Sequence, residues 1–202
     1  MSCSFQPCPD PIEPTKVEPT EDELAANIIA SSFYLTTATY DYAGDCSWAA
    51  PVMFWMDDQQ HFYFVSAFHS RHVKNIHLNS NIGISIYDSQ QLEGTGRGVQ
   101  FGAKAVILRN KKERSMAAYW LAKTRAPKEC LDPLDPDQDD PLDQARSMAK
   151  RWQKNGRVIF KLTVDSQGFF INAWDGQVDT RQSVTIPTQL NLKWFHPDGS
   201  RF

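Results

Sequence analysis

Hydrophobic and polar residues alternate along the first half of the chain in a way that predicts short strands joined by tight turns. Residues 33–40 are rich in strand-forming residues, the DYAGD run at 41–45 is typical of a hairpin turn, and 46–56 returns as a second strand. Pro51 interrupts that strand because it cannot donate a backbone hydrogen bond. Further strands are predicted over residues 62–68, 82–87 and 99–108.

Helical patterns flank these strands. Thr20 and Glu23 form a capping-box pattern ahead of apolar residues at helical spacing, so a helix is predicted to begin there. A short helix follows the third strand, and two more are predicted over 111–125 and 143–154. Residues 158–164 and 168–174 are predicted to form a last pair of strands with a turn at 165–167. The order favours an antiparallel, Greek-key-like sheet or barrel with peripheral helices over a doubly wound fold.

Three segments differ in composition from the rest. Residues 1–19 are rich in proline and predict a flexible arm, residues 127–141 are rich in proline and aspartate and predict a solvated loop, and residues 175–202 are polar with little pattern. We therefore expect one domain at 20–174, with a helical and acidic insertion at about 111–155, between the arm and a C-terminal extension. The acidic run lacks the glycine and the closing glutamate of a calcium loop.

Composition excludes several classes of protein. The chain has 202 residues, of which 41% are hydrophobic, and a net charge of −3, which fits one globular domain and argues against bulk nucleic-acid binding. No apolar run approaches the roughly 20 residues of a membrane span, and the N-terminus does not have the pattern of a secretory signal. No metal site is expected, since the cysteines lack zinc-ligand spacing, and a reduced, cytoplasmic protein is the simplest interpretation. These cysteines are Cys3, Cys8, Cys46 and Cys130.

The stretch from the third strand into the short helix carries the clearest chemical signal. Ser66 lies near the end of an apolar strand, and Ser70 stands directly before a helix that carries Arg71 and Lys74 on one face. The free N–H groups and the dipole of a helix start favour an anion. This stretch is therefore a candidate phosphate site.

The order of these segments resembles the pyridoxamine 5'-phosphate oxidase-like family of FMN-binding split barrels, over roughly residues 20–108 and more weakly over 157–174. The matching pieces are FYLTTAT, SWAAPVMFWMDD, HFYFVSAFHSRHVKNIHLNSNIGISIYD and GRGVQFGAKAVIL. The GVQF run is similar to that of a poorly characterised bacterial branch. The resemblance implies a split β-barrel that forms a homodimer, with FMN between the subunits.

The resemblance also implies roles for individual residues. The strand segment 49–54 would line the flavin ring, largely through backbone groups. Other residues would grip the phosphate, and Asn75 would set the turn or touch the cofactor. Gln100 would reach the ring or ribityl chain, and Trp174 would cover the ring from the other subunit. The ring-lining residues are Ala50, Pro51, Val52 and Met53, and the phosphate residues are Ser66, Ser70, Arg71 and Lys74.

Each of these residues has a plainer interpretation. Arg71 and Lys74 also fit a solvated helix face, Ser70 a plain N-cap, and Ser66 a hydroxyl bonded to nearby backbone. A structural partner for Gln100 is as plausible as a flavin. Surface positions are the default for the histidines, with His69 of some interest as a neighbour of haem or flavin. The others are His72 and His77.

Three functions remain open from the sequence. The first is an FMN-dependent oxidoreductase that acts on a small organic substrate, and no catalytic residue is assigned because the cofactor carries the chemistry. Vitamin B6 synthesis is not expected, because the C-terminal Arg-Leu-x-Pro ending of those enzymes is missing and Trp55 stands where they often have lysine. The second is a flavin or haem carrier or sensor without turnover. The third is an interaction subunit that has lost its cofactor.

Overall fold

The computed structural model describes residues 19–87, 96–124, 141–174 and 179–186. Most of the predicted arm, the acidic loop and much of the C-terminal extension lie outside these residues. The described elements, in chain order, are α1 (Glu21–Ser31), β1 (Tyr34–Asp41), β2 (Cys46–Met56), β3 (Phe62–Ala67), α2 (Arg71–Leu78), β4 (Asn81–Tyr87), β5 (Gly98–Ile107), α3 (Lys111–Thr124), α4 (Pro141–Lys154), β6 (Arg157–Trp174) and β7 (Asp179–Val184).

Six of the strands close into an antiparallel barrel. The sheet order is β3-β2-β1-β4-β5-β6-β7, and an additional pairing between β3 and β6 closes the ring, which leaves β7 outside it. All neighbouring strands are antiparallel, and β1–β2, β2–β3 and β4–β5 are consecutive along the chain. The prediction of an antiparallel barrel with peripheral helices is thereby confirmed.

The barrel interior is filled by the inward-facing residues of the alternating strands. Phe54, Phe62, Phe64 and Phe160 are each 0% exposed and belong to one hydrophobic cluster. Both α1 and α2 add apolar residues to this cluster, so the two helices are fixed to the barrel by burial of their apolar faces. The start of α1 shows the predicted capping box between Thr20 and Glu23.

A second hydrophobic cluster lies on the outer face of β2, β3 and β6, beneath α3 and α4. Trp55 is 0% exposed there, and its Nε1 donates a 2.7 Å hydrogen bond to the carbonyl oxygen of Ala117 in α3. Its ring packs 6.0 Å from that of Trp152 in α4. The helical insertion therefore covers one side of the barrel and has a core of its own.

The end of the chain differs from the sequence prediction. Residues 157–174 form one continuous strand, where a pair of strands joined at 165–167 was expected. The segment around Asp165 is an irregularity in the pairing with β5, and Gly168 takes a positive φ of 75° within it. A Cβ on Gly102 would lie 1.9 Å from Asp165 Oδ2, so the Asp165 side chain packs over this glycine of the facing strand. Strand β7 was not predicted.

Candidate functional site

Three polar side chains meet where β3 ends and α2 begins. Ser66 follows Phe62 and Phe64 on the barrel-facing side of β3, and its Oγ lies 2.8 Å from His72 Nε2. Ser70 Oγ is 3.2 Å from Ser66 Oγ and 3.3 Å from the same imidazole nitrogen. We call Ser66, Ser70 and His72 the serine–histidine cluster. Its close spacing places two hydroxyl groups and one imidazole at the start of a helix.

The helix start itself offers unpaired donors to this cluster. Ser70 is the N-cap residue of α2, but its side chain makes no capping hydrogen bond. The first N–H groups of an α-helix have no acceptor within the helix, and the dipole gives that end partial positive charge. The plain N-cap interpretation of the Ser70 hydroxyl is therefore not what the structure shows. The corner has the donor groups that an anion requires.

The cluster carries little formal charge of its own. Burial lowers the pKa of His72 below its ordinary value, which favours the neutral imidazole at pH 7. The His72 ring packs against Phe64, with ring centroids 6.3 Å apart. An anion bound here would reverse this effect, because a negative charge beside the imidazole favours its protonated form.

Helix α2 is held in place by both apolar and polar contacts. Val73 and Ile76 are buried in the barrel cluster. Asn75 is 3% exposed, and its Nδ2 donates a 3.0 Å hydrogen bond to Thr39 Oγ1 on β1. Asn75 therefore has a structural role, which is to fix the helix that presents the serine–histidine cluster.

Arg71 points away from the cluster toward the β1–β2 hairpin. Its Nε donates a 2.5 Å hydrogen bond to Asp41 Oδ2, and its guanidinium carbon lies 4.2 Å from the ring centroid of Trp48. The hydrogen bond from Arg71 lowers the pKa of Asp41. The Lys74 side chain is exposed, and its ammonium group has no hydrogen-bond or ion-pair partner within the described residues. The structure thus brings Ser66 and Ser70 together, and leaves both predicted cations outside the cluster.

The barrel opens beside the serine–histidine cluster. Strands β2 and β3 pair over Phe54–Met56, whereas β3 continues to pair with β6 as far as Ala67. In the described pairings, the part of β2 before Phe54 pairs with β1 alone, so its other edge has free backbone groups. Pro51 is tolerated there because it lies in a strand with one neighbour. This is the segment predicted to line a flavin ring.

The predicted ring-lining residues alternate between the two faces of β2. Ala50 and Val52 are 8% and 7% exposed and face the barrel, whereas Pro51 is exposed and Met53 is partly buried. Their side chains cannot all face one ligand. Contact with a ligand along this segment would therefore use backbone groups, which is the mode that the resemblance implies.

Gln100 does not reach the serine–histidine cluster within one chain. It lies between Val99 and Phe101, which face the barrel, so it points outward. Register places Gln100 opposite Ser85 and, through β1, in the same cross-strand row as Pro51. Gln100 has interaction partners in the structure. Trp174 pairs with Asp179 at the end of β6, and its side chain lies outside the described residues.

His72 is the residue that the sequence interpretation missed. A histidine in the first turn of a short helix looks like a surface residue, because its neighbours Arg71 and Lys74 are polar. The available signal was its position two residues after the N-cap, where a side chain can fold back over the helix start.

The described residues hold neither a metal site nor a membrane-spanning helix. They contain no group of three or more His, Cys, Asp or Glu side chains placed to hold a metal ion. In the same part of the chain, no helix is long and apolar enough to cross a membrane.

Comparison with known proteins places this geometry in context. The sequence profile described as pyridoxamine 5'-phosphate oxidase matches residues 21–165. No curated protein sequence matches the chain.

Several solved structures share the fold at low sequence identity. A protein of unknown function from Agrobacterium tumefaciens aligns with a TM-score of 0.55 at 14% identity, over 86% of this chain and 66% of that one. A haem-binding protein from Mycobacterium smegmatis gives 0.55 at 18% identity, over 83% and 60%. The haem storage protein HutZ from Vibrio cholerae gives 0.51 at 15% identity, over 72% and 89%. At such identities the likeness establishes the fold alone.

Proposed function

The chain belongs to the pyridoxamine 5'-phosphate oxidase family, and on that basis we propose that it is an FMN-binding flavoprotein that acts as an oxidoreductase on a small organic substrate. The observation that carries the proposal is the meeting of Ser66, Ser70 and His72 at the start of α2. These groups suit the phosphate of FMN, since hydroxyls and helix N–H groups donate to its oxygens.

The neutral cluster needs positive charge to hold a phosphate, and two side chains in or next to it can supply that charge. His72 takes up a proton when the anion binds, which turns its imidazole into a charged donor. Arg71 is one residue before His72 and exchanges its contact with Asp41 for one with the phosphate. Asp41 therefore competes with FMN for the same guanidinium. Lys74, being exposed on the same helix, adds long-range attraction.

The flavin ring is proposed to lie along the open edge of β2. The backbone groups of Ala50–Met53 that have no strand partner on the β3 side suit the hydrogen-bonding edge of the ring. When bound, FMN supplies hydride or electron transfer, while the protein orients the ring and excludes water. No side chain of this chain is assigned a catalytic role.

We further propose that the protein is a homodimer whose partner covers the outer face of β2, β1, β4 and β5. Tyr34 and Tyr87 are 62% and 55% exposed on that face, and they flank a cavity of about 470 Å³ that Pro51 and Thr36 also line. Exposed aromatic residues grouped around a cavity are typical of interaction surfaces. Gln100 lies on this same face, so in a dimer it is available to a cofactor held between the subunits.

Haem is the second candidate ligand. Two of the structural relatives are described as haem-binding or haem storage proteins. In this chain, His69 is exposed on the turn between β3 and α2, and burial keeps His72 in the neutral form that coordinates iron. A carrier or sensor that binds haem or flavin without turnover is consistent with these contacts.

One experiment separates these functions. The full-length protein is purified without added ligand, its absorbance spectrum is recorded, and the released ligand is identified by mass. We expect flavin bands and the mass of FMN. A Soret band would establish the haem alternative. Colourless protein that does not take up added FMN would overturn the proposal.

A further inference from the structure

A second cavity lies between α4, the end of β5 and the start of β6, and it shares no lining residue with the serine–histidine cluster. Its volume is about 500 Å³, which is within the range of small-molecule sites. The turn between β3 and α2 closes one side, where the Phe68 N–H donates a 2.9 Å hydrogen bond to the Gly156 carbonyl oxygen. None of Ser66, Ser70 and His72 lines it.

The floor of this cavity is apolar. Phe68 is 60% exposed, which is unusual for a phenylalanine whose backbone is fixed by a hydrogen bond to a neighbouring loop. Trp152 belongs to the second hydrophobic cluster and contributes one side. A ligand with an apolar body would bury this surface and gain the corresponding free energy. The other apolar lining residues are Ile107, Leu108, Ala149, Val158 and Ile159.

Positive charge surrounds the apolar floor. Arg109, Arg114 and Arg157 line the cavity, and among the described residues no aspartate or glutamate does. Within the described residues, none of these three arginines has an ion pair, whereas Arg71 and Arg146 do. Uncompensated guanidinium groups beside an apolar surface attract carboxylate or phosphate groups, which they bind with two parallel hydrogen bonds.

A smaller adjoining cavity extends the positive region. It has a volume of about 140 Å³ and shares Arg114, Ala149 and Gln153 with the larger one. Lys111 and Lys150 line it as well, together with Arg146, whose guanidinium is held by Asp143. The two cavities therefore form one region with an apolar part and a cationic part.

We propose that this region binds a small organic anion, a carboxylate on an aliphatic or aromatic body, with the body on Phe68 and Trp152 and the carboxylate on Arg114 and Arg157. Its lining includes no residue that is proposed to contact FMN, so this proposal does not rest on the proposed function. A neutral molecule of the same shape would leave the arginines without a partner and would bind more weakly. A cation would be repelled.

Octanoate and 1-octanol are suitable matched probes, because they share an aliphatic chain and differ in charge. Each is used to displace a fluorescent anilinonaphthalene sulfonate from the purified full-length protein. We expect octanoate to compete at least about tenfold more strongly than octanol. Arg114→Gln with Arg157→Gln should weaken octanoate binding about tenfold and leave octanol unchanged, and Phe68→Ala should weaken both.

Lys104→Gln is the matched control, since Lys104 is an exposed cation on β5 that does not line the cavity. Thermal unfolding of each variant checks that the fold is retained, and the exposed or partly exposed positions of Phe68, Arg114 and Arg157 make this the expected result. Equal competition by octanoate and octanol would overturn the proposal. An unchanged octanoate affinity in the double arginine variant would also overturn it, as would failure of octanoate to bind.

Discussion

Two corners of the molecule place cationic residues at the start of a helix, and they differ in how that charge is compensated. At the start of α2, Arg71 is already bound to Asp41 and lies over Trp48, and the serine–histidine cluster beside it is neutral. At the start of α3, Arg109 and Arg114 have no ion-pair partner in the described residues. The number of cations in a segment therefore does not measure its affinity for anions. The start of α2 offers hydrogen-bond donors in a fixed arrangement but no free positive charge within the serine–histidine cluster. The start of α3 offers free positive charge beside an apolar surface.

The largest expected effect on stability comes from removing Trp55, which supports Trp152 beside the arginine-lined cavity. Trp55→Ala deletes a fully buried side chain that packs on Trp152, so we expect the free energy of unfolding to fall by about 3–5 kcal/mol. Octanoate binding should weaken because Trp152 loses its neighbour, whereas FMN binding at the α2 corner should persist. Chemical denaturation and ligand titration measure these effects.

Trp55→Phe keeps an aromatic ring and removes the hydrogen bond to Ala117, so it is the milder control if the alanine variant fails to fold. We expect a loss of about 1–3 kcal/mol. If it weakened FMN binding as much as octanoate binding, the two corners would not be independent.

Removing the anchor of the first corner should have a smaller effect on stability. Asn75→Ala breaks the buried hydrogen bond to Thr39, and we expect a loss of about 1–3 kcal/mol together with weaker FMN binding. Octanoate binding should not change. Lys74→Ala, on the exposed face of the same helix, is the control for helix propensity. Equal losses of stability in the two variants would show that the Asn75 contact does not anchor α2.

The pH dependence of FMN binding tests whether His72 supplies charge to the cluster. Burial lowers the pKa of His72 in the folded protein, so the unfolded chain takes up the proton first. The stability associated with the neutral imidazole is complete above a pH of about 6.5 and is lost as the pH falls through the lower folded value. Bound phosphate opposes this loss of stability, because its negative charge favours the protonated imidazole of His72.

FMN affinity in the wild type should therefore rise as the pH is lowered from about 8 to about 6.5, with uptake of a proton. His72→Gln should flatten that pH profile, which fluorescence titration across the range would show. Riboflavin serves as the reference ligand because it lacks the phosphate. The same dependence of FMN affinity on pH in the wild type and in the variant would show that His72 supplies no charge to the bound phosphate.

The smallest effect concerns the competition between Asp41 and FMN for Arg71. Asp41→Asn frees the guanidinium, so FMN affinity should rise severalfold and riboflavin affinity should stay constant.

The hydrogen bond from Arg71 lowers the pKa of Asp41, so the stability that this pair contributes is present above a pH of about 4 and is lost as the pH falls through the folded value. Unfolding midpoints of the two proteins should therefore converge in acid. A difference between the two unfolding midpoints that stays constant at every pH would show that the ion pair of Arg71 and Asp41 does not titrate as proposed.

Much of the fold follows from sequence pattern because buried residues recur at every second position along β1, β4 and most of β5. Strand β2 was predicted at its observed bounds, since Val52 and Phe54 point inward between outward residues. Strand β7 escaped prediction because Val184 is buried while Arg181 and Ser183 are exposed, which leaves too weak a pattern. The predicted turn near Asp165 is an irregularity in the pairing of β6 with β5, where the Asp165 side chain packs over Gly102, and such a long-range contact leaves no local signal.

The candidate site was predicted in part. Ser66 and Ser70 were recognised as neighbours because a strand end and a helix start are close along the chain. The contact between Arg71 and Asp41 joins residues 30 positions apart, so helical spacing alone could not reveal it. The cavity at the start of α3 combines residues from three regions of the sequence, and only the packed structure brings them together.

The central claim is that the α2 corner holds the phosphate of FMN, and the most direct test compares FMN with riboflavin. Dissociation constants of both ligands are measured by flavin fluorescence for the wild type and for Ser66→Ala with Ser70→Ala. Two hydroxyl donors to a charged phosphate predict a loss of at least about tenfold in FMN affinity and little change for riboflavin. An equal loss for both ligands, or no loss for either, would contradict the claim.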